Sequence, residues 1–199
     1  MPIVAPIEAQ AELDEQSYPI EEKLGQGRKH ELRFTELLSF LRVLFEGESD
    51  VIVGGDRFIY YEKGNRRKVV APDAFVIRGY EGEEPDAFKV WEKPIDLRFA
   101  CEIWSAQNSE AERMRKFGVY QDILRAREYA ELTQDERLYG YRLNEEGEYE
   151  QVKPNEQGRL AMRELGAELA FEGGLIRVYR DGKKIPTLSE ALKQRGTNA

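Results

Sequence analysis

The spacing of apolar positions changes along this chain, and the changes mark out its elements. Phe34, Leu37, Leu38, Leu41, Leu44 and Phe45 recur at three- and four-residue intervals, which predicts an amphipathic helix that Gly47 is placed to end. Val51–Val53, Arg57–Glu62 and Lys68–Ile77 then read as strands, split by Gly54-Gly55 and by the turn Lys63-Gly64-Asn65-Arg66. Three such runs in quick succession predict an antiparallel meander. Gly79–Asp86 reads as a loop, Phe88–Trp91 as a short strand, Pro94 as a break, and Leu97–Trp104 as a further strand. Ser109 and Glu112 form the Ser-x-x-Glu pattern that opens a helix. On that helix Met114, Phe117, Gln121 and Leu124 share one face, while Glu112, Lys116 and Tyr120 lie four apart along the next. In the final third, Glu136–Leu143 and Glu148–Lys153 flank Asn144-Glu145-Glu146-Gly147 as a hairpin, and Arg159–Phe171 fits either strand or helix. Leu175–Arg180 followed by Asp181-Gly182 predicts a strand and a tight turn, and Thr187 with Glu190 opens a terminal helix.

This order of strands and helices predicts one α/β (α+β) domain over residues 18–199. Its central mixed, curved sheet is flanked by the first helix and the Ser109 helix, and C-terminal hairpins extend it. Residues 1–17 are polar or small without a clear period and read as a loose arm. A chain of 199 residues can bury a proper core. No stretch approaches the ~20 apolar residues of a membrane span, and the start lacks the basic-then-apolar pattern of a signal peptide. The expectation is a cytoplasmic protein with no membrane partner. The single cysteine, Cys101, excludes an internal disulfide and a cysteine-built zinc site, and the single histidine, His30, excludes a multi-histidine one. A net charge of −8 argues against attraction of phosphates over the whole surface, yet leaves room for a local basic strip. Arg66, Arg67 and Lys68 form such a cluster at a turn, read most simply as a solvated loop.

The candidate chemistry lies in two apolar runs, VVAPDAFVI around Asp73 and LRFACEIW around Glu102. A carboxylate inside a buried strand is costly unless compensated, and a divalent metal is the usual compensation where two such groups meet. Strand alternation points Glu102 the same way as Ala100 and Trp104, opposite to Cys101 and Ile103. The Ile103 carbonyl offers a further metal ligand, and Lys116 can reach back over the strand ends from its helix. Among 38 acidic and 30 basic side chains, however, an Asp…Glu…Lys order also arises by chance, with the acids simply salt-bridged. His30 reads as a helix-start residue or as an accessory ligand or base, and Tyr120 as a half-buried aromatic or a phosphate donor. Glu36 is a rival carboxylate off the apolar stripe, and Trp91 and Trp104 read as packing residues or as base-stacking platforms.

Several of these segments resemble a known family. APDAFVI, FKVWEKP, CEIWSAQNSE, Lys116-x-x-x-Tyr120, LYGYRLNEEGEYEQV and Ile185-Pro-Thr-Leu-Ser-Glu190 are similar in order and flanks to the Uma2-like endonucleases of the PD-(D/E)XK nuclease superfamily. That family is abundant in cyanobacteria and was formerly a domain of unknown function. The resemblance runs from about Asp50 to Glu190 and implies a restriction-endonuclease-like core. It also implies a DNA endonuclease dependent on Mg²⁺ or Mn²⁺, with Asp73 and Glu102 as metal carboxylates, Lys116 as the catalytic lysine, and a homodimer. The superfamily's usual lysine, two positions after the glutamate, is here Trp104. A segment ending Glu128-Tyr129 lacks the Gly-Val and Asp-Pro that flank it in the family. The alternative is a nuclease-fold module that binds nucleic acid or protein, or serves assembly, without cleaving.

Overall fold

The computed structural model describes residues 27–197, so the arm expected over residues 1–17 lies outside them. Helix α1 (Arg28–Leu44) forms where the apolar stripe predicts it, and Gly47 (φ +87°) follows its end in the left-handed conformation that glycine tolerates. A six-stranded sheet takes the centre, in the order β1 (Val51–Gly54), β4 (Ala74–Arg78), β6 (Asp96–Ile103), β7 (Glu128–Leu132), β8 (Leu138–Leu143) and β9 (Tyr149–Gln151). It is mixed: β6 and β7 run parallel, and every other neighbouring pair is antiparallel. A parallel pair needs a crossover, and helix α2 (Glu110–Gly118) with a π-helical turn (Val119–Ile123) provides it.

The expected meander over residues 51–77 does not form. Pro72 has no N–H to give a ladder, and the run it interrupts divides between two sheets. Strand β3 (Val69–Val70) pairs antiparallel with β2 (Ile59–Tyr60), which also pairs in parallel with β5 (Phe88–Lys89), making a small three-stranded sheet. β1 pairs instead with β4, and the Asp56 N–H donates to the Pro72 carbonyl (2.9 Å) where the excursion closes. Gly55 sits at that closure. A Cβ there would collide with the Asp73 carbonyl and the Phe34 ring, so the glycine lets the backbone approach Asp73 closely.

The ambiguous stretch 159–171 is strand: β10 (Leu160–Met162) and β11 (Ala167–Glu172). The first C-terminal hairpin, β8–β9, extends the central sheet, whereas β10, β11, β12 (Leu175–Arg180) and β13 (Lys183–Lys184) build a four-stranded sheet of their own. Buried Glu128 stitches the two sheets together. Its carboxylate accepts the Arg163 and Glu164 backbone N–H groups (2.9 Å each) and a 2.9 Å bond from Arg142 Nε. Helix α3 (Leu188–Thr197) opens with a reciprocal capping box between Thr187 and Glu190.

The central sheet separates two apolar layers. Phe99, Cys101 and Ile103 of β6 face α1 and the second sheet, packing with Leu37, Leu41, Leu169 and Val178. Leu97 and Ala100 face the other way, among Phe75, Tyr120 and Tyr129 under α2 and the π-helical turn. Fully buried Cys101 has its thiol pushed well up by burial, so it is a core residue. Among the described residues, no helix is long and apolar enough to cross a membrane.

Candidate active site

Asp73 immediately precedes β4 and Glu102 lies near the end of β6, and the antiparallel pairing of those strands sets Ala74 opposite Cys101. The two carboxylates therefore come from adjacent strand ends. They line one cleft of about 690 Å³, together with His30 and Arg33 of α1, Asp56, Trp104 and Lys116. Both are nearly inaccessible, with 6% of Asp73 and 2% of Glu102 exposed.

Each carboxylate is held at both oxygens. Asp73 Oδ2 accepts the Ile103 N–H at 2.5 Å and Oδ1 lies 2.9 Å from His30 Nε2. Glu102 Oε2 accepts from Lys116 Nζ at 2.9 Å and Oε1 from the Tyr120 hydroxyl at 2.5 Å. Lys116 also donates to the Ala71 carbonyl (3.4 Å), and its ammonium stands 5.6 Å from the centre of the Trp104 ring. Helix α2 aims these groups. Ser109 Oγ accepts the Glu112 N–H (3.1 Å) as N-cap. Lys116 lies near the helix end, and the Leu124 N–H bonds five residues back to Val119 across the π-helical turn that carries Tyr120.

Burial pushes the Glu102 carboxyl up to about 7. Lys116 opposes this by charge and hydrogen bond, and Tyr120 by hydrogen bond, while the charge of Asp73 adds to it. For His30, burial favours the neutral ring. The hydrogen bond to Asp73 and the charges of Asp73, Asp56 and Glu102 outweigh it and raise the imidazole above its usual value. The Glu102 shift has a stability consequence. Between about 4.5 and about 7 the folded chain keeps a proton that the unfolded chain releases, so this group's contribution is full below pH 4.5 and fades as pH rises through 7. The loss is on the order of 3 kcal/mol. In urea titrations in metal-free buffer, Glu102→Gln is expected to remove this part of the pH dependence, comparing more favourably with wild type at pH 8 than at pH 5.

Of the residues singled out in the sequence, Asp73, Glu102, Ile103, Lys116, His30 and Tyr120 meet at this cleft or directly behind it. Ile103 reaches Asp73 through its N–H. Glu36 is not among the lining residues. Neither tryptophan stands out as a platform: Trp91 packs partly buried against Phe58, Tyr60 and Ala71, and Trp104 is 4% exposed. Sequence reasoning missed the group behind Trp104. Glu131, the partner of Glu102 across the parallel β6–β7 ladder, accepts from Trp104 Nε1 (2.9 Å), from Arg113 Nε and Nη2 (2.8 and 2.6 Å) and, at longer range, from Tyr129 and Tyr141. The signal for it was present in the alternation of β7, where Glu131 shares a face with Tyr129.

Among the described residues, no group of three or more His, Cys, Asp or Glu gathers in metal-ligating geometry. Of the four carboxylates that line the cleft, Asp56, Asp73, Glu102 and Glu112, it is Asp73 and Glu102 that come from adjacent strand ends, and carboxylate oxygens keep acceptor capacity beyond one hydrogen bond each. That donor set suits a hard ion such as Mg²⁺, which commonly binds through one or two carboxylates and leaves other positions to water and phosphate.

The chain is thus an α+β fold, a mixed sheet with two carboxylates at neighbouring strand ends and a helix-borne lysine against one of them. No protein-family model and no curated protein matches this chain. Among solved structures it is similar to one from Anabaena variabilis ATCC 29413, described as a "putative nuclease belonging to DUF820". The TM-score is 0.52 at 16% identity, over 73% of this chain and 84% of that one, so what the two share is the fold. That neighbour's family is the Uma2-like one that the sequence resembles.

Proposed function

We propose that this protein is a divalent-metal-dependent endonuclease that hydrolyses phosphodiester bonds in DNA. The reading is carried by one observation: Lys116 lies 2.9 Å from Glu102 in the cleft that Asp73 also lines, three ionisable side chains buried together at the strand ends. Buried ionisable groups converging on a cleft are more characteristic of a reacting centre than of a structural ion pair. Asp73 and Glu102, with the Ile103 carbonyl as a further oxygen, would hold the ion. When bound, it supplies an acidified water and neutralises charge on the scissile phosphate. The chain's own groups do the rest. His30 and the Ile103 N–H fix the two oxygens of Asp73, and Tyr120 fixes Glu102. Lys116 places a cation where charge accumulates on the phosphate oxygens as water adds to phosphorus and one ester P–O bond breaks.

Trp104, standing two residues after Glu102 with its N–H given to Glu131, favours the second reading of a nuclease-shaped module that binds without cleaving. One assay separates them. Wild-type protein with Mg²⁺ or Mn²⁺ is expected to nick supercoiled plasmid, and Asp73→Ala to leave it intact. Equal nicking by the two would sink the assignment, and no nicking by a folded wild type would favour the binding module.

A further inference from the structure

The basic turn after β2 is not part of the cleft described above, but the fold sets it beside α2. Arg115 Nη1 reaches the Val69 carbonyl (3.5 Å), the residue after Lys68. One helical position on, Lys116 reaches the Ala71 carbonyl two residues further along the same segment. The segment Lys68–Ala71 thus passes beside the C-terminal end of α2, with the cleft lysine near one of its ends and the Arg66-Arg67-Lys68 cluster at the other. At ~3.3 Å per extended residue the two ends are about 10 Å apart, roughly three steps along a duplex at 3.4 Å each.

The turn is built as a fixed platform. The Asn65 N–H donates to the Glu62 carbonyl and its side-chain amide to the Glu62 carboxylate (2.9 Å). Asn65 Oδ1 accepts the Arg67 N–H (3.2 Å), its carbonyl accepts the Lys68 N–H (3.0 Å), and Gly64 takes the positive φ the turn needs. Arg66, Arg67 and Arg115 are exposed and Lys68 is half-buried. Glu62, occupied with Asn65, is the acid nearest in sequence. On a chain of net charge −8, phosphate attraction must come from such a local concentration of cations, because the surface as a whole repels a polyanion.

We propose that this rim, formed by Arg67, Lys68 and Arg115, is the track along which the DNA backbone lies as it leads away from the cleft. The inference rests on the endonuclease reading and names the surface that would position its substrate. Phosphate contacts fix register and carry no sequence information, so the rim would bind duplexes of any sequence alike.

The test is binding of a fluorescein-labelled duplex without metal, followed by anisotropy across a salt series, so that it is independent of cleavage. Arg67→Ala/Arg115→Ala is compared with wild type and with Lys183→Ala/Lys184→Ala, which removes the same charge from exposed positions on β13. The rim pair is expected to weaken binding on the order of tenfold and to reduce the slope of log K against log salt by about 1.8, while the β13 pair leaves both near wild type. Equal effects of the two pairs, an unchanged slope in the rim pair, or no binding by wild type would each overturn the proposal. Metal-dependent nicking by wild type alongside an unchanged rim-pair slope would overturn the rim alone and leave the endonuclease reading standing.

Discussion

Lys116→Met is expected to reduce metal-dependent nicking by about 10²–10³-fold while the protein remains folded. Methionine keeps an unbranched stem and removes the ammonium, which is 2.9 Å from Glu102 and 5.6 Å from the centre of the Trp104 ring. Two consequences distinguish a chemical role from a packing one. First, the charge of Lys116 is the largest influence holding the Glu102 carboxyl down against burial, so its loss moves that carboxyl further above about 7. The pH profile of any residual activity should shift upward with it. Second, Lys116→Arg should not restore wild-type activity, because a planar guanidinium cannot take the place of a compact ammonium in a site this buried. Gel-based initial rates from pH 6 to 9 measure both. A Lys116→Met protein with wild-type rates and profile would show that the lysine only neutralises a structural carboxylate.

The largest effect on stability is expected at Glu131, outside the cleft. Glu131→Ala should cost about 3 kcal/mol, because it leaves the Trp104 N–H without its acceptor and leaves the part-exposed Arg113 guanidinium only the 3.6 Å contact with Glu110. For a chain of this size that corresponds to a fall in Tm on the order of 10 °C. Glu131 is 1% exposed, and the Tyr129 and Tyr141 hydroxyls also turn toward it, so water cannot readily replace the lost acceptor. The same change frees the Trp104 ring that stands near Lys116, so activity measured at a temperature where the variant is folded should also fall. Urea denaturation of Glu131→Ala beside Glu131→Gln checks the first point. A loss under 1 kcal/mol in the alanine variant would mean that the cluster is better solvated than its burial indicates.

Much of the cleft was legible in the sequence because its chemistry coincides with strong local patterns. Asp73 and Glu102 interrupt apolar runs, Lys116 and Tyr120 lie four apart on one helix, and Ser109 announces where that helix begins. The meander failed for a different reason. Strand pairing is chosen by long-range packing, and Gly55 and Pro72 redirect the chain so that β1 finds β4 beyond residues 55–73 while β2 and β3 leave the sheet. Strand alternation put Glu131 on the Tyr129 face, but its other donors, Trp104 just past β6, Arg113 of α2 and Tyr141 of β8, are joined to it by no local spacing. The division of the C-terminal hairpins between two sheets was likewise hidden, since Glu128 joins them through backbone N–H groups that no sequence motif reveals.

Metal binding between Asp73 and Glu102 is tested most directly by a crystal of the wild-type protein soaked in Mn²⁺ and read by its anomalous signal. One ion is expected in the cleft, bound by oxygens of both Asp73 and Glu102 at about 2.1 Å, with Lys116 still beside Glu102. A saturated crystal with no ion there, and with the His30–Asp73 and Lys116–Glu102 pairs intact, would contradict it.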